Sequence, residues 1–339
     1  MSASIATGVL IISQGEINVL TCRIYSEPFW SAAKAMIAAA KKGGLTMGET
    51  TKIQWADHTF NPWRGCTKVA PGCANCYAEK QSHRNPSTLG VWGDHGTRVV
   101  ASESMWKQPL KWNAAAKKDG VRRRVFCASL ADVFEGWRGA MDVGEKWPGL
   151  TVDGLRMADV RSRLFDVIDS TPWLDWLLLT KRPQNVFQMW PQPASKCPNH
   201  QDHSDGRDNI WIVYSASDAR SYGCAVDQLV ECRDLVPVLG VSLEPLIGPI
   251  RMGRQLKHLD WVVVGGESGP GARPCRVEWV RSIVEQCEAA GVPCFVKQLG
   301  AIPVGGKSMT PQEWRLREPK GGDMAEWPED LRVREFPRQ

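Results

Sequence analysis

Three cysteines lie close together in a loop rich in glycine and proline, between Phe60 and Ala78. Cys66, Cys73 and Cys76 form a C-x6-C-x2-C array within eleven residues. Thiolates are preferred ligands of zinc and of iron–sulfur clusters. If three thiolates hold a [4Fe–4S] cluster, one iron has no protein ligand and is open to a substrate or a cofactor.

Two other uses of these thiols remain open. A disulfide with a spare thiol is one, but the 11 cysteines are odd in number and scattered, and nothing indicates an oxidising compartment. A structural zinc site is the other. It needs a fourth ligand, and His58 and His83 flank the array. The spacing alone does not decide between a cluster and zinc.

A second group of zinc-type ligands occurs in a polar segment further along the chain. Cys197, His200 and His203 have the spacing C-x2-H-x2-H, but no fourth ligand is evident. We interpret this segment as a surface insertion and leave it out of the predicted site.

The composition is typical of a globular protein. The chain has 339 residues, of which 43% are hydrophobic and 23% charged, and this length allows one large α/β domain or two small ones. It lacks any apolar run of about 18 residues, so no membrane association is expected. The net charge of +5 is mild, and the Arg122–Arg124 run is interpreted as a solvated strand entrance rather than a phosphate contact.

The first 46 residues differ from the rest of the chain. They contain an apolar stretch, Val9–Ile12, and a helix-like stretch, Ser31–Lys42, before a second methionine at Met47. No basic region precedes an apolar core, so we expect no secretory signal and a cytoplasmic protein. The compact domain is predicted to begin at Met47, with residues 1–46 as an extension that is dispensable or arises from an upstream start site.

From Met47 onward, short apolar runs alternate with amphipathic helical patterns, which predicts a parallel sheet. The predicted strands are Thr51–Asp57, Arg123–Leu130, Leu174–Thr180, Asn209–Ser215, Val236–Leu243, Asp260–Gly266 and Val292–Lys297. This number of strands favours an α/β fold with a full or partial parallel (β/α) barrel over residues 47–301. Residues 302–339 are predicted to form a C-terminal tail packed on the barrel.

Polar residues end nearly every predicted strand. In a barrel the carboxyl ends of the strands meet at one rim, where active sites are built. Lys181 and Glu267 are the leading catalytic candidates, because a charge directly after a buried strand must be paired or must face a ligand. We expect Asp57, Glu244 and Lys297 to face the same cavity.

The segment GGESGPGAR, Gly265 to Arg273, follows the sixth predicted strand. Its glycines permit close approach of a ligand to the backbone. The G-x-G-x-x-G spacing of a dinucleotide site is absent. We interpret the segment as a loop that contacts a ligand, because it carries Glu267, Ser268 and Arg273 together.

Five strings of this sequence resemble a bacteriophage-encoded three-cysteine family of uncharacterised function that also occurs in bacterial genomes and is similar to the radical S-adenosylmethionine (SAM) superfamily. The strings are FNPWRGCTKVAPGCANCYA, LLLTKRP, SLEPLIGPI, WVVVGGESGPGARPC and FVKQLG, and the resemblance covers Met47 to Ala301. It implies a (β/α) barrel of the radical SAM type, with Cys66, Cys73 and Cys76 as ligands of a [4Fe–4S] cluster. The first gap is longer than the superfamily's usual C-x3-C-x2-C spacing.

The same resemblance implies reductive cleavage of SAM to start radical chemistry on a substrate, for which a nucleotide or nucleic-acid base is the leading expectation. A flavodoxin or ferredoxin would supply the electron. The residues expected to contact SAM or the substrate are Asp132, Glu135, Glu244, Gly265, Gly266, Glu267 and Ser268. The alternative is a non-catalytic iron–sulfur or zinc-binding protein associated with nucleic acid.

Overall fold

The structure is a computed structural model that describes residues 10–13, 16–19, 51, 53–143, 155–191, 207–305 and 312–337. The chain divides into two compact units, Met1–Thr46 and Met47–Gln339. In the first unit, Leu10–Ser13 pairs with Glu16–Val19 in antiparallel fashion. The predicted helix at Ser31–Lys42 and the insertion with Cys197, His200 and His203 lie outside the described residues. None of the described helices is long and apolar enough to cross a membrane.

A sheet of seven parallel strands forms the centre of the second unit. The strands follow one another across the sheet in chain order, and the sheet curls into an open half-barrel. They are β1 (His58–Phe60), β2 (Arg123–Cys127), β3 (Leu174–Thr180), β4 (Ile210–Ala216), β5 (Val238–Leu243), β6 (Trp261–Gly265) and β7 (Cys294–Gln298). The predicted parallel α/β sheet is therefore confirmed, in partial rather than closed form.

Helices connect the strands and cover one face of the sheet. The described helices are α1 (Tyr77–Arg84), α2 (Pro86–Leu89), α3 (Glu103–Trp106), α4 (Gln108–Asp119), α5 (Met157–Asp169), α6 (Val186–Met189), α7 (Ala219–Glu231) and α8 (Val277–Ala290). Short strands lie outside the main sheet, at Trp63–Arg64, Val99–Val100, Cys275–Arg276, Pro303–Gly305 and Gln312–Glu313.

Successive side chains along each strand point to opposite faces of the sheet, so the strands contribute to two separate apolar cores. On the helix-covered face, strand residues such as Val241 share a buried cluster with Leu164 of α5 and Ile283 of α8. The opposite, inner face carries a separate cluster rich in aromatic residues, which includes Trp211 and Trp261. This cluster lies on the inner face near the amino ends of the strands, so we expect a ligand on this face to bind towards the carboxyl rim.

The predicted strand at Thr51–Asp57 is wrong, because the first strand of the sheet is the segment immediately after it, β1. Ile53 and Trp55 alternate with other residues at the period of a strand, but their side chains pack on the aromatic cluster of the inner face and the segment does not join the sheet. Trp55 packs on Phe126, with ring centroids 4.8 Å apart, and on the edge of Trp261 at 6.1 Å. The segment therefore packs on the aromatic cluster at the amino end of the inner face, which we call the floor of the inner face.

The expectation that Asp57 faces the rim is wrong for the same reason. Its Oδ2 accepts a hydrogen bond of 2.7 Å from the backbone N of Arg124, the second residue of β2. Asp57 lies just before β1, at the amino end of the sheet, whereas the rim lies at the carboxyl end.

The C-terminal segment packs along the free edge of β7. The backbone N of Val296 donates to the O of Val333 at 2.9 Å, and the N of Glu335 donates to the O of Cys294 at 2.8 Å. Phe336 then stacks on Trp261, with centroids 5.7 Å apart. The segment thus covers an edge strand that would otherwise expose unpaired backbone groups.

A chain that starts at Met47 is expected to unfold with the cooperativity of the full chain. Both segments that close the floor of the inner face, around Trp55 and Phe336, belong to the unit Met47–Gln339. Urea unfolding followed by tryptophan fluorescence would give the same slope and midpoint for both chains. A smaller slope, or failure of the shortened chain to accumulate in soluble form, would show that residues 1–46 contribute to the core.

Candidate functional site

The three cysteines lie on a loop between a short strand, Trp63–Arg64, and α1. This strand pairs in antiparallel fashion with Val99–Val100, which follows α2 along the chain. Cys73 ends a short 3-10 helix, and Cys76 is the N-cap residue of α1. All three thiols are free and partly buried.

The cysteine loop rests on the carboxyl ends of β4 and β5. A Cβ added at Gly72 would lie 2.1 Å from the Oγ of Ser217, which follows β4, and 3.3 Å from the Cδ of Pro245, which follows β5. Ser217 is fully buried, and among the described residues its Oγ has no hydrogen-bond partner. A residue without a side chain is therefore required at position 72 for the loop to approach the rim this closely.

Gly72→Ala is expected to displace the cysteine loop, because the new methyl group would overlap the Ser217 hydroxyl. The expected result is a several-fold loss of metal retained after desalting, with circular dichroism unchanged. Adding Ser217→Gly to Gly72→Ala removes the overlap and should restore retention. Gly223→Ala is the matched control, since a Cβ there meets nothing within 4 Å. Equal metal retention in Gly72→Ala and Gly223→Ala would contradict the close approach.

Glu267 joins the cysteine loop to the glycine-rich segment. Its Oε2 accepts from the Nδ2 of Asn75 at 3.1 Å and from the backbone N of Arg273 at 2.8 Å, and its Oε1 accepts from the Nη2 of Arg273 at 2.7 Å. Arg273 also donates through Nη1 to the O of Pro71 at 3.0 Å. Burial acts to raise the pKa of Glu267, but the hydrogen bonds from Arg273 and Asn75 outweigh it and lower this pKa. We call this group the Glu267 clamp.

A buried ion network holds the other end of the loop. The carboxylate of Glu135 accepts from the Nε and Nη2 of Arg98, both at 2.8 Å, and from the backbone N of Thr67 at 2.9 Å. The side chain of Arg98 has no exposed surface, and its guanidinium lies 4.0 Å from the ring centroid of Trp137. The backbone next to Cys66 is thus fixed to a desolvated ion pair.

Arg182 links this network to Cys66. Its Nη1 lies 2.8 Å from the Oδ2 of Asp132 and 3.6 Å from the Sγ of Cys66, and its Nη2 donates to the O of Thr67 at 2.8 Å. Burial, helped by the charges of Glu135 and Asp132, raises the pKa of the Cys66 thiol to about 12, while Arg182 acts in the opposite direction. We call the group formed by Arg98, Asp132, Glu135 and Arg182 the Arg182 network.

The chain's own donors already occupy Asp132. Its carboxylate accepts from the N of Phe134 at 3.0 Å, the Oγ1 of Thr180 at 2.8 Å and the N of Lys181 at 3.0 Å, besides Arg182. Asp132 and Glu135, which were expected to contact SAM or the substrate, therefore anchor the cysteine loop in this structure. Their contact with SAM stays a prediction.

A band of polar side chains crosses the inner face between the aromatic cluster and the cysteine loop. The Nζ of Lys181 donates to the Oγ of Ser215, which donates to the backbone O of Glu244 at 3.2 Å. The Nζ of Lys297 donates to the Oε1 of Glu244. Lys181, Glu244 and Lys297 are thus brought together across β3 to β7, as expected of strand-end residues in a curled parallel sheet.

Lys181 also interacts with the cysteine array. Burial is the largest influence on the Cys76 thiol and raises its pKa. Hydrogen bonds from the amides of Glu79 and Ala78, in the first turn of α1, act in the opposite direction, as does the Lys181 ammonium. These donors favour the thiolate, which is the form that binds metal.

Gly265 and Gly266 have close backbone neighbours. A Cβ on Gly266 would lie 2.3 Å from the O of Leu299, and one on Gly265 would lie 3.3 Å from the O of Gln298. The N of Gly266 donates to the same Gln298 carbonyl at 3.0 Å. Packing against the end of β7 therefore accounts for glycine at position 266, while Ser268, two residues further on, is partly exposed.

The chain matches a protein-family model. The family model described as a protein of unknown function, DUF5131, matches residues 50–147 and 151–323. The chain belongs to the DUF5131 family. No curated protein and no solved structure matches it. The matched residues include the cysteine loop, the Glu267 clamp and the Arg182 network, so the candidate site lies within the DUF5131 region.

The donor set of this DUF5131 chain fits an iron–sulfur cluster by its chemistry: three free thiols, with a helix N-terminus and an arginine donating towards two of them. Among the described residues, no three His, Cys, Asp or Glu side chains converge as ligands of one metal ion. A cluster binds each thiolate through a separate iron, so it does not require that convergence.

Of the proposed fourth zinc ligands, His58 stacks on Trp112 at 4.3 Å and His83 is exposed on α1.

Two residues of the site, Arg98 and Asn75, were not predicted from the sequence. Arg98 precedes a short apolar pair, Val99–Val100, and Asn75 lies between two of the cysteines. A charged residue next to an apolar run indicates a buried partner, and this signal could have singled out Arg98. Asn75 had no comparable pattern, because asparagine is common in turns.

Proposed function

We propose that this DUF5131 protein is an iron–sulfur enzyme of the radical SAM type, built on a partial (β/α) barrel. The observation that carries the proposal is the position of the cysteine loop. Three thiols lie at the carboxyl rim of a curled parallel sheet, next to a charged band on the inner face. Active sites of such sheets are built at this rim.

In this proposal Cys66, Cys73 and Cys76 hold a [4Fe–4S] cluster. When bound and reduced, the cluster supplies the electron that cleaves SAM and so starts radical chemistry on the substrate. The chain's own residues fix the three thiols: the Arg182 network at Cys66, and the Glu267 clamp at the segment between Cys73 and Cys76. The aromatic cluster on the floor closes the inner face and excludes water from that side.

The polar band would bind SAM and the substrate. The ammonium of Lys181 is held by the hydroxyl of Ser215, whereas Lys297 is paired with the carboxylate of Glu244. An anion such as the SAM carboxylate or a substrate phosphate would pair more strongly with Lys181 than a hydroxyl does. The rim segment from Gly265 to Ser268 lies beside this band and supplies further polar groups.

We propose a nucleotide or a nucleic-acid base as the substrate and a flavodoxin or ferredoxin as the reductant, in a cytoplasmic setting. The Lys181 ammonium, which is held by a hydroxyl rather than a carboxylate, and the net charge of +5 favour an anionic substrate. The resemblance to a phage-encoded family supports the choice of a nucleic-acid component among such substrates.

Anaerobic protein tests the proposal directly. About four iron and four sulfide per chain are expected, together with 5′-deoxyadenosine formation from SAM when a reductant is added. Iron and sulfide without SAM cleavage would favour a non-catalytic iron–sulfur protein. A colourless protein with zinc would favour the zinc-binding alternative and overturn the proposal.

Lys181→Met is expected to leave iron content and fold unchanged but to weaken the binding of SAM or of the substrate about tenfold or more, because one charge-assisted contact is lost. Equilibrium dialysis with labelled SAM would measure the change. Lys257→Met is the control, since Lys257 is exposed on a short 3-10 helix before β6, at the amino end of the sheet. Wild-type affinity and turnover in Lys181→Met would remove this residue from the site.

A further inference from the structure

Arg182 places a positive charge directly against one of the three thiols. Its Nη1 is shared between the Oδ2 of Asp132 at 2.8 Å and the Sγ of Cys66 at 3.6 Å, a contact in hydrogen-bond range for a sulfur acceptor. Only 7% of the side chain is exposed. Water therefore screens this charge poorly, and its removal would leave the carboxylates of Asp132 and Glu135 unopposed beside the sulfur.

The orientation of this guanidinium is fixed from several sides. Nη2 donates to the backbone O of Thr67, the residue after Cys66, and the backbone N of Arg182 donates to the Oγ1 of Thr180 at 2.9 Å. The Oε1 of Glu135 lies 3.5 Å away. The carboxylates of Asp132 and Glu135 hold the guanidinium, and the guanidinium is the group that contacts the sulfur.

We infer that Arg182 sets the reduction potential of the cluster by donating from Nη1 to the Sγ of Cys66, an inference that rests on the proposed function. Reduction adds one electron, and thus one negative charge, to a centre already ligated by three thiolates. A nearby positive charge and an N–H···S hydrogen bond stabilise the reduced form more than the oxidised form, and so raise the potential. Arg182 is in this role a positioning and tuning residue, which does not touch the substrate.

The test is a redox titration of anaerobically reconstituted protein, with the reduced cluster followed by electron paramagnetic resonance. Arg182→Gln removes the charge, and we expect a roughly tenfold lower ratio of reduced to oxidised cluster at a fixed potential, a shift of about 59 mV to more negative values for one electron. Arg182→Lys keeps the positive charge but lacks the planar guanidinium, so its reduction potential should lie between those of the wild type and Arg182→Gln.

Arg233→Gln is the matched control. Arg233 pairs with Asp260, just before β6, at the end of the sheet away from the cysteines, so the variant removes the same charge without touching the loop. An unchanged potential in Arg182→Gln, with the cluster intact, overturns the inference alone. Loss of the cluster from both Arg182 variants, with circular dichroism unchanged, also overturns it and leaves Arg182 a purely structural role. A wild-type chain without iron overturns the proposed function and the inference together.

Discussion

Cys76→Ala is expected to lower the iron content of anaerobically prepared protein from about four per chain to below about one. In the proposed site three thiolates hold the cluster, and the two that remain would not retain it. The variant also removes the sulfur that accepts from the amides of Ala78 and Glu79 at the start of α1. Iron and sulfide analysis, with the loss of the brown colour, would measure the effect.

The fold should survive this substitution, because Cys76 lies outside both apolar cores. Circular dichroism and the thermal midpoint are therefore expected to change little relative to the metal-free wild type. Cys224→Ala is the control, since Cys224 is an exposed thiol on α7. If Cys76→Ala kept its iron, or if Cys224→Ala lost it to the same extent, the cysteine array would not be the cluster site.

The buried strands of this fold could be predicted from sequence because their pattern is strong. The run at Leu174–Thr180 is confirmed to the residue, and the strands β4 to β7 lie within two residues of their predicted bounds. The first strand could not be predicted in the same way. The three residues of β1 are too few for a period to be read, while Ile53 and Trp55 alternate like a strand but cover the floor of the inner face.

The position of the site could be predicted from the sequence, but not which of its polar and charged residues contact one another. That polar strand ends gather at one rim follows from parallel topology alone. Which charges neutralise one another depends on contacts between distant parts of the chain: Asn75 and Glu267 are 192 residues apart, and Cys66 and Arg182 are 116 apart. A single sequence carries no signal for such pairs, so residues that anchor the cysteine loop looked like ligand contacts.

The two anchors have different strengths. The Glu267 clamp is partly open to water, since 29% of the Arg273 side chain is exposed, and exposed ion pairs contribute about 1 kcal/mol or less. The Arg182 network is desolvated, with Arg98 at 0% and Glu135 at 5% exposure. The Cys66 end of the loop is therefore expected to be the rigid end, and the end near Cys73 and Cys76 the one that adjusts to a ligand.

Glu135→Gln is expected to lower the free energy of unfolding by about 3 kcal/mol, because it leaves the fully buried guanidinium of Arg98 without its carboxylate. The amide of glutamine preserves the shape of the side chain, so the loss reflects charge rather than a cavity. Urea midpoints at an unchanged slope would measure it. Glu103→Gln is the matched control: the Glu103–Arg163 pair has both side chains about half exposed, and its loss should cost less than about 1 kcal/mol.

The same variant separates a structural role of the network from a functional one. Glu135 holds the backbone N of Thr67, so its loss should release Cys66 and lower iron retention even at temperatures where the protein stays folded. If Glu135→Gln destabilised the fold but retained iron like Glu103→Gln, the network would serve the core alone. If Glu135→Gln and Glu103→Gln were equally stable, the buried guanidinium of Arg98 would not depend on the carboxylate of Glu135 for its stability. Loss of both stability and iron, confined to Glu135→Gln, is the outcome that a rigid anchor at Cys66 requires.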